Sequence, residues 1–110
     1  MSVADDVKEI FDKMPGALIR DRAVGLNKTI LLDLSGEGGG QWVLKIVDSK
    51  ISVDEGQIDA PNLALRMAAS DFVDLTYGRA NAMTLFIGGK IKVEGDVTLA
   101  MKFQELFEQG

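Results

Sequence analysis

Seventeen carboxylates and twelve cations, with neither histidine nor cysteine, bound the chemistry this 110-residue chain can offer. Without cysteine there is no thiolate nucleophile, and without either residue there are no zinc ligand set and no Ser–His relay. What remains for acid–base work is a paired carboxylate, and Asp5, Asp6, Asp54, Glu55, Asp59, Asp71 and Asp74 are the candidates. None stands in a recognised catalytic spacing, and helix caps or solvated faces account for most of them. Asp54, Glu55 and Asp59 offer oxygen atoms to calcium but lack the ligand pattern of a calcium-binding loop. The chain is therefore expected not to be an enzyme, and to need neither metal nor cofactor.

Two glycine runs invite a phosphate-binding interpretation and fail it. A phosphate loop needs glycine spacing followed by Lys and Ser/Thr at a helix N-terminus, where backbone N–H groups converge. Ser35-Gly36-Glu37-Gly38-Gly39-Gly40 runs instead into Gln41-Trp42 and a strand, as a flexible hairpin would. After Gly88-Gly89-Lys90, Ile91 stands where the metal-binding hydroxyl belongs, and again a strand follows. The net charge of −5, without a basic patch, disfavours nucleic acid and makes long-range attraction to anionic membranes weak. The N-terminus shows no basic region followed by an apolar one, and Phe107-Glu108-Gln109-Gly110 is not a peroxisomal address. A cytoplasmic location is expected.

The elements that would position these residues follow from periodicity. Ser2 with Asp5 three residues later opens a helix whose apolar face is Val3, Val7, Ile10, Phe11 and Met14, ended by Pro15-Gly16. A brief helical stretch, 17–22, precedes Gly25. From Leu26 the period becomes two: Ile30, Leu32 and Leu34 face one way, Thr29, Leu31 and Asp33 the other. Trp42, Leu44 and Ile46 alternate with Val43, Lys45 and Val47, and Asp48-Ser49-Lys50 turns the chain into Ile51-Ser52-Val53. These three strands read as an antiparallel meander. Asn62–Met67 reads as a fourth strand, Ser70 as a cap for a helix closed by Gly78, and Asn81 as a cap for a helix running to Gly88-Gly89. Lys90–Glu94 supplies a fifth strand, and Asp96 caps a last helix whose face includes Leu99, Phe103, Leu106 and Phe107. The pattern predicts one α+β domain over 1–110, five short strands covered by helices.

The C-terminal third is apolar at nearly every interior position, which suits a hollow for something greasy. Its residues Gly78, Phe86, Gly89-Lys90-Ile91-Lys92-Val93-Glu94-Gly95 and Leu99-Ala100-Met101-Lys102 resemble the signature of the sterol carrier protein 2 family. Asn62-Leu63-Ala64-Leu65-Arg66-Met67-Ala68-Ala69-Ser70-Asp71-Phe72 is similar to another family segment, and Trp42 to Val53 to its tryptophan strand and hairpin. The resemblance covers about residues 26 to 107. It implies a mainly antiparallel, twisted five-stranded sheet covered by helices, with a hydrophobic tunnel between the layers. It also implies non-covalent binding of fatty acids, fatty acyl-CoAs, phospholipids or sterols.

On that resemblance the expected lining is Trp42, Phe72, Leu75, Met83, Phe86, Met101, Phe103 and Leu106, chosen for bulk and inward direction. The acidic surface departs from the basic animal carriers, and no proline follows Gly78, where Arg79-Ala80-Asn81-Ala82 stands. Fatty acid or acyl-CoA is therefore expected ahead of sterol, with no nucleic acid and at most transient membrane contact. The alternative is an interaction or accessory module, pairing with itself as a homodimer or with a lipid-metabolising enzyme, its apolar excess an exposed patch.

Overall fold

The computed structural model of the protein describes residues 2–107; of the terminal tetrapeptide read above for an address, only Phe107 lies within it. Ser2 is extended, and its hydroxyl accepts the Asp5 backbone N–H at 3.2 Å. From this cap α1 runs over Val3–Ala17 and buries Val7, Ile10, Phe11 and Met14. It does not stop at Pro15-Gly16 as the sequence predicts. The fixed φ of proline, about −65°, is itself helical, so the helix continues through Pro15 even though the ring donates no N–H and crowds the carbonyl four residues back. The stretch expected to be helical over 17–22 contracts to a 3-10 turn, Arg20–Arg22.

Five strands follow: β1 (Lys28–Ser35), β2 (Gly40–Val47), β3 (Lys50–Glu55), β4 (Leu63–Ala68) and β5 (Lys92–Gly95). They form one sheet in the order β3-β2-β1-β4-β5. Asp48 and Ser49 take φ of 54° and 59°. Two successive positive φ values give the mirror-image turn whose twist matches a tight hairpin. The predicted meander β1-β2-β3 is antiparallel, as is β4 with β5, whereas β4 lies parallel to β1. The sheet is thus mixed and mainly antiparallel. Leu32 stands level with Trp42 on one side and Leu65 on the other, which sets Ile30, Leu32, Leu34, Leu44, Ile46, Leu63, Leu65 and Met67 on a single face.

The connection into β4 passes over the opposite face, where Ile58 covers Leu31, Val43 and Ala64. Asn62 fixes its end. The Asn62 side-chain oxygen accepts from the Thr29 backbone N–H at 2.8 Å, and its backbone carbonyl accepts from Asp96 at 2.9 Å. One residue thereby ties β1, β4 and the exit of β5 together.

All four helices lie on the other side of the sheet. α2 (Ala69–Thr76) springs directly from β4 with Ala68 at its cap, so Ser70 sits inside the first turn rather than capping it. Gly78, at φ 75°, lets the Arg79 N–H reach back to the Asp74 carbonyl and closes the helix. Asn81 caps α3 (Ala82–Ile87), accepting from Met83 and Thr84 at 2.9 and 3.2 Å. Asp96 caps α4 (Val97–Phe103) through the Leu99 N–H at 3.1 Å. The last helix ends sooner than its apolar pattern suggests: Leu106 belongs to a 3-10 turn, and Phe107 is extended and bridges to Leu18. α1 packs on α2 and β3, α2 on β4 and β1, and α4 on β4 and β5. Among the described residues no helix is long and apolar enough to cross a membrane.

Candidate functional site

The apolar face of α1 meets the sheet at three stacked rings. Phe11 lies between Trp42 of β2 and Phe72 of α2, with centroids 4.7 and 5.3 Å apart and planes within 25° and 20° of parallel. Beside this stack, between α1 and the β2–β3 end of the sheet, opens a cleft of about 570 Å³. Val7, Phe11, Trp42 and Val53 form its apolar part; Lys8, Asp12 and Glu55 stand among its polar lining. Gly38 and Gly39 make its wall. The hairpin presses backbone to backbone there: a Cβ on Gly38 would stand 2.7 Å from the Ala4 nitrogen, at a φ of 78°. The glycine run is a hairpin, as the sequence indicates, but its close approach to α1 is what shapes the cleft. Phe11 and Val53 carry no sign of this role beyond their places on apolar faces.

The eight residues expected to line a cavity fall into three groups. Trp42 and Phe72 meet at the stack through Phe11. Leu75, Phe103 and Leu106 pack with the main core, Leu106 fully buried and Phe103 edge-on to Phe107 at 5.3 Å. Met83, Phe86 and Met101 project into solvent from α3 and α4. Of the first group Trp42 alone lines the cleft, Phe72 being buried in the core, and the third group lies outside the core.

The ion pairs among the described residues lie outside the cleft lining. Across the opposite face Arg66 joins Glu94 of β5 at 2.9 Å and also pairs with Asp33 of β1, so the guanidinium is held above its ordinary value chiefly by the bond to Glu94. On α1 the Lys13 ammonium bonds Glu9 at 2.8 Å and holds that carboxyl below the usual glutamate value. Partial burial, then the Glu9 and Asp6 charges, raise the Tyr77 phenol. None of these groups pairs an acid with a base across the cleft. Among the described residues no cluster of three acidic side chains could hold a metal ion.

A model of the SCP-2 sterol transfer family matches residues 7–108. Human hydroxysteroid dehydrogenase-like protein 2 is 31% identical over 104 residues, 94% of this chain and 25% of that protein. The chain thus spans about a quarter of the length of that curated relative. Among solved structures, palmitated sterol carrier protein 2 like 2 from Aedes aegypti superposes with a TM-score of 0.74 at 23% identity, covering 96% of this chain and 93% of that one. The sec-alkylsulfatase Pisa1 from Pseudomonas sp. gives a TM-score of 0.82 at 17% identity, covering 92% of this chain but 16% of the sulfatase.

Proposed function

This chain belongs to the SCP-2 sterol transfer family, a lipid-binding family, and we propose that it carries or sequesters one acyl lipid without chemistry on it. Fatty acid or fatty acyl-CoA is the proposed ligand, ahead of sterol. The observation that carries this reading is the α1 cleft, about 570 Å³, with an aromatic floor and, among the described residues, one lining cation, Lys8. That volume lies in the range of roughly 300–1,000 Å³ common to small-molecule sites. Lys8 is the cation a carboxylate headgroup could pair with there, beside the lining carboxylates Asp12 and Glu55, whereas a sterol brings no charge for it. The acyl chain would run past Trp42, Phe72 and Leu75 beneath the helices toward Phe103 and Leu106, with Met83, Phe86 and Met101 at the far mouth. Unbranched methionines adapt to ligands of different shape.

Each buried methylene contributes about 0.8 kcal/mol, so a long acyl chain offers on the order of 10 kcal/mol. Lost translation and chain ordering offset much of this, leaving roughly micromolar to sub-micromolar affinity. The test is displacement of a fluorescent fatty acid from delipidated protein by palmitate, palmitoyl-CoA, lysophospholipid and cholesterol. Saturable one-to-one binding, with palmitate or its CoA ester ahead of cholesterol, supports the proposal. Cholesterol displacing best would overturn the ligand class, and no binding by folded protein would overturn the carrier.

One observation favours a second reading, an accessory module for a lipid-metabolising enzyme. The same fold occupies a minor part of the sulfatase and of the dehydrogenase-like protein. Self-association or capture of an enzyme, combined with absent lipid binding, would select it.

A further inference from the structure

The α1 cleft has a polar end whose charges are not matched to one another. Val7, Lys8, Phe11 and Asp12 follow helical spacing along one stripe of α1 and all line it. Val7 and Phe11 are buried, while Lys8 and Asp12 are exposed at the margin of the stripe. Glu55, also exposed, stands level with Trp42 at the end of β3 and completes the charged lining. Lys8, Asp12 and Glu55 form no ion pair among the described residues; on α1 that place is taken by Glu9 with Lys13. Beyond Glu55 a second hollow, about 400 Å³, is lined by glycines with Gln41 and Gln57 and by no apolar side chain. The polar end of the site is therefore the Glu55 end.

One cation against two carboxylates is a poor match for a bare carboxylate. Such a head pairs with Lys8 but lies among two like charges, and the phosphates of a CoA ester would add more. A head that carries both signs uses all three groups. Residues one turn apart on a helix have Cβ atoms about 5–6 Å apart, so Lys8 and Asp12 call for an anion and a cation only a few bonds from each other. Phe11 and Trp42 line the same cleft, and an aromatic ring beside carboxylates is a favourable place for a methylated ammonium.

We infer that the α1 cleft selects acyl lipids with a compact zwitterionic head, an anion and a methylated ammonium a few bonds apart, ahead of the bare acid. The anion meets Lys8, and the ammonium lies against Asp12 and Glu55. These two carboxylates are then specificity residues: they order the acyl lipids by head group and leave the chain to the apolar lining. The inference rests on the carrier reading and names the head group of its ligand.

The test is displacement of the fluorescent fatty acid from the intact, delipidated protein by palmitate, palmitoylcarnitine and palmitoyl lysophosphatidylcholine, each below its micelle concentration. The variant is Asp12→Asn/Glu55→Gln. Asp21→Asn/Asp59→Asn removes the same charge from two exposed acids outside the cleft lining. With wild type, at least one zwitterion is expected to bind about tenfold more tightly than palmitate. In the cleft variant that zwitterion should weaken and palmitate tighten, each roughly fivefold, as the loss of exposed charge contacts allows. Opposite shifts cannot arise from general damage to the cleft. The control variant should keep the wild-type order. Whether the carboxylate-bearing or the phosphate-bearing zwitterion binds more tightly names the anion, and either result supports the inference. Zwitterions no better than palmitate overturn it, as do shifts of the same sign in the cleft variant or reversed shifts in the control. Palmitate binding in those cases leaves the carrier reading standing; no binding of any acyl ligand by folded protein overturns both.

Discussion

Phe11 is the residue on which the candidate site turns, because Trp42 and Phe72 both stack on it. Its side chain is buried, so Phe11→Ala removes the transfer energy of a ring and opens a cavity between two layers. Urea unfolding should show a loss of about 3–5 kcal/mol. Gly38 answers to a different constraint. Its positive φ and the Ala4 backbone 2.7 Å from any Cβ make Gly38→Ala destabilising by roughly 1–3 kcal/mol, read as a lower thermal midpoint. Phe86 is half-exposed and supports little of the fold. Phe86→Asp should therefore leave circular dichroism nearly native while weakening acyl-ligand displacement more than tenfold, if the chain passes that mouth as proposed. Phe11 was legible in the sequence as a core residue from its spacing with Val7 and Met14. Its partner rings were not, since stacking depends on which strand and which helix arrive beside it.

At the scale of elements, caps decide where the helices begin, and most were visible. Ser2, Asn81 and Asp96 each accept the N–H groups that their position in the sequence predicts. α3 holds the core by Leu85 alone, so its cap is a large share of what keeps it wound. Asn81→Ala should cost about 1 kcal/mol, and hydrogen exchange should show it as faster opening confined to α3. α1 carries the pH-sensitive pair. Glu9 is held below its ordinary value of 4.5 by the bond to Lys13 and then by its charge. The contribution of the pair is therefore complete above that ordinary value and drains away as pH falls through the lowered one. Both groups face solvent, so the effect is small. The urea midpoint of wild type should approach that of Lys13→Met only on acidification. Local rules failed at Pro15 and Ser70 for related reasons. Pro15 keeps a helical φ although it donates no N–H, and Ala68, extended at the end of β4, takes the cap position that Ser70 was expected to hold.

For the whole molecule, Trp42 provides the direct report, being the only tryptophan and a lining residue of the cleft. Palmitate should change its emission saturably, with the midpoint found by displacement; an unchanged spectrum beside measurable binding would move the ligand away from α1. The sequence by itself determined the α+β class, five strands, the first meander with its Asp48-Ser49 turn, and the apolar faces. These follow from periods of two and 3.6 residues and from turn and cap chemistry, all set by near neighbours in the chain. It also excluded thiol, zinc and histidine chemistry outright, because composition alone settles those. Only the tertiary structure decided that β4 runs parallel beside β1, that Asn62 ties three strands, and that Arg66 links Asp33 to Glu94. It alone divided the eight expected lining residues among a stack, a core and a solvent-facing surface. The physical reason is that local pattern says which side chains are apolar, whereas burial depends on what distant chain arrives to cover them.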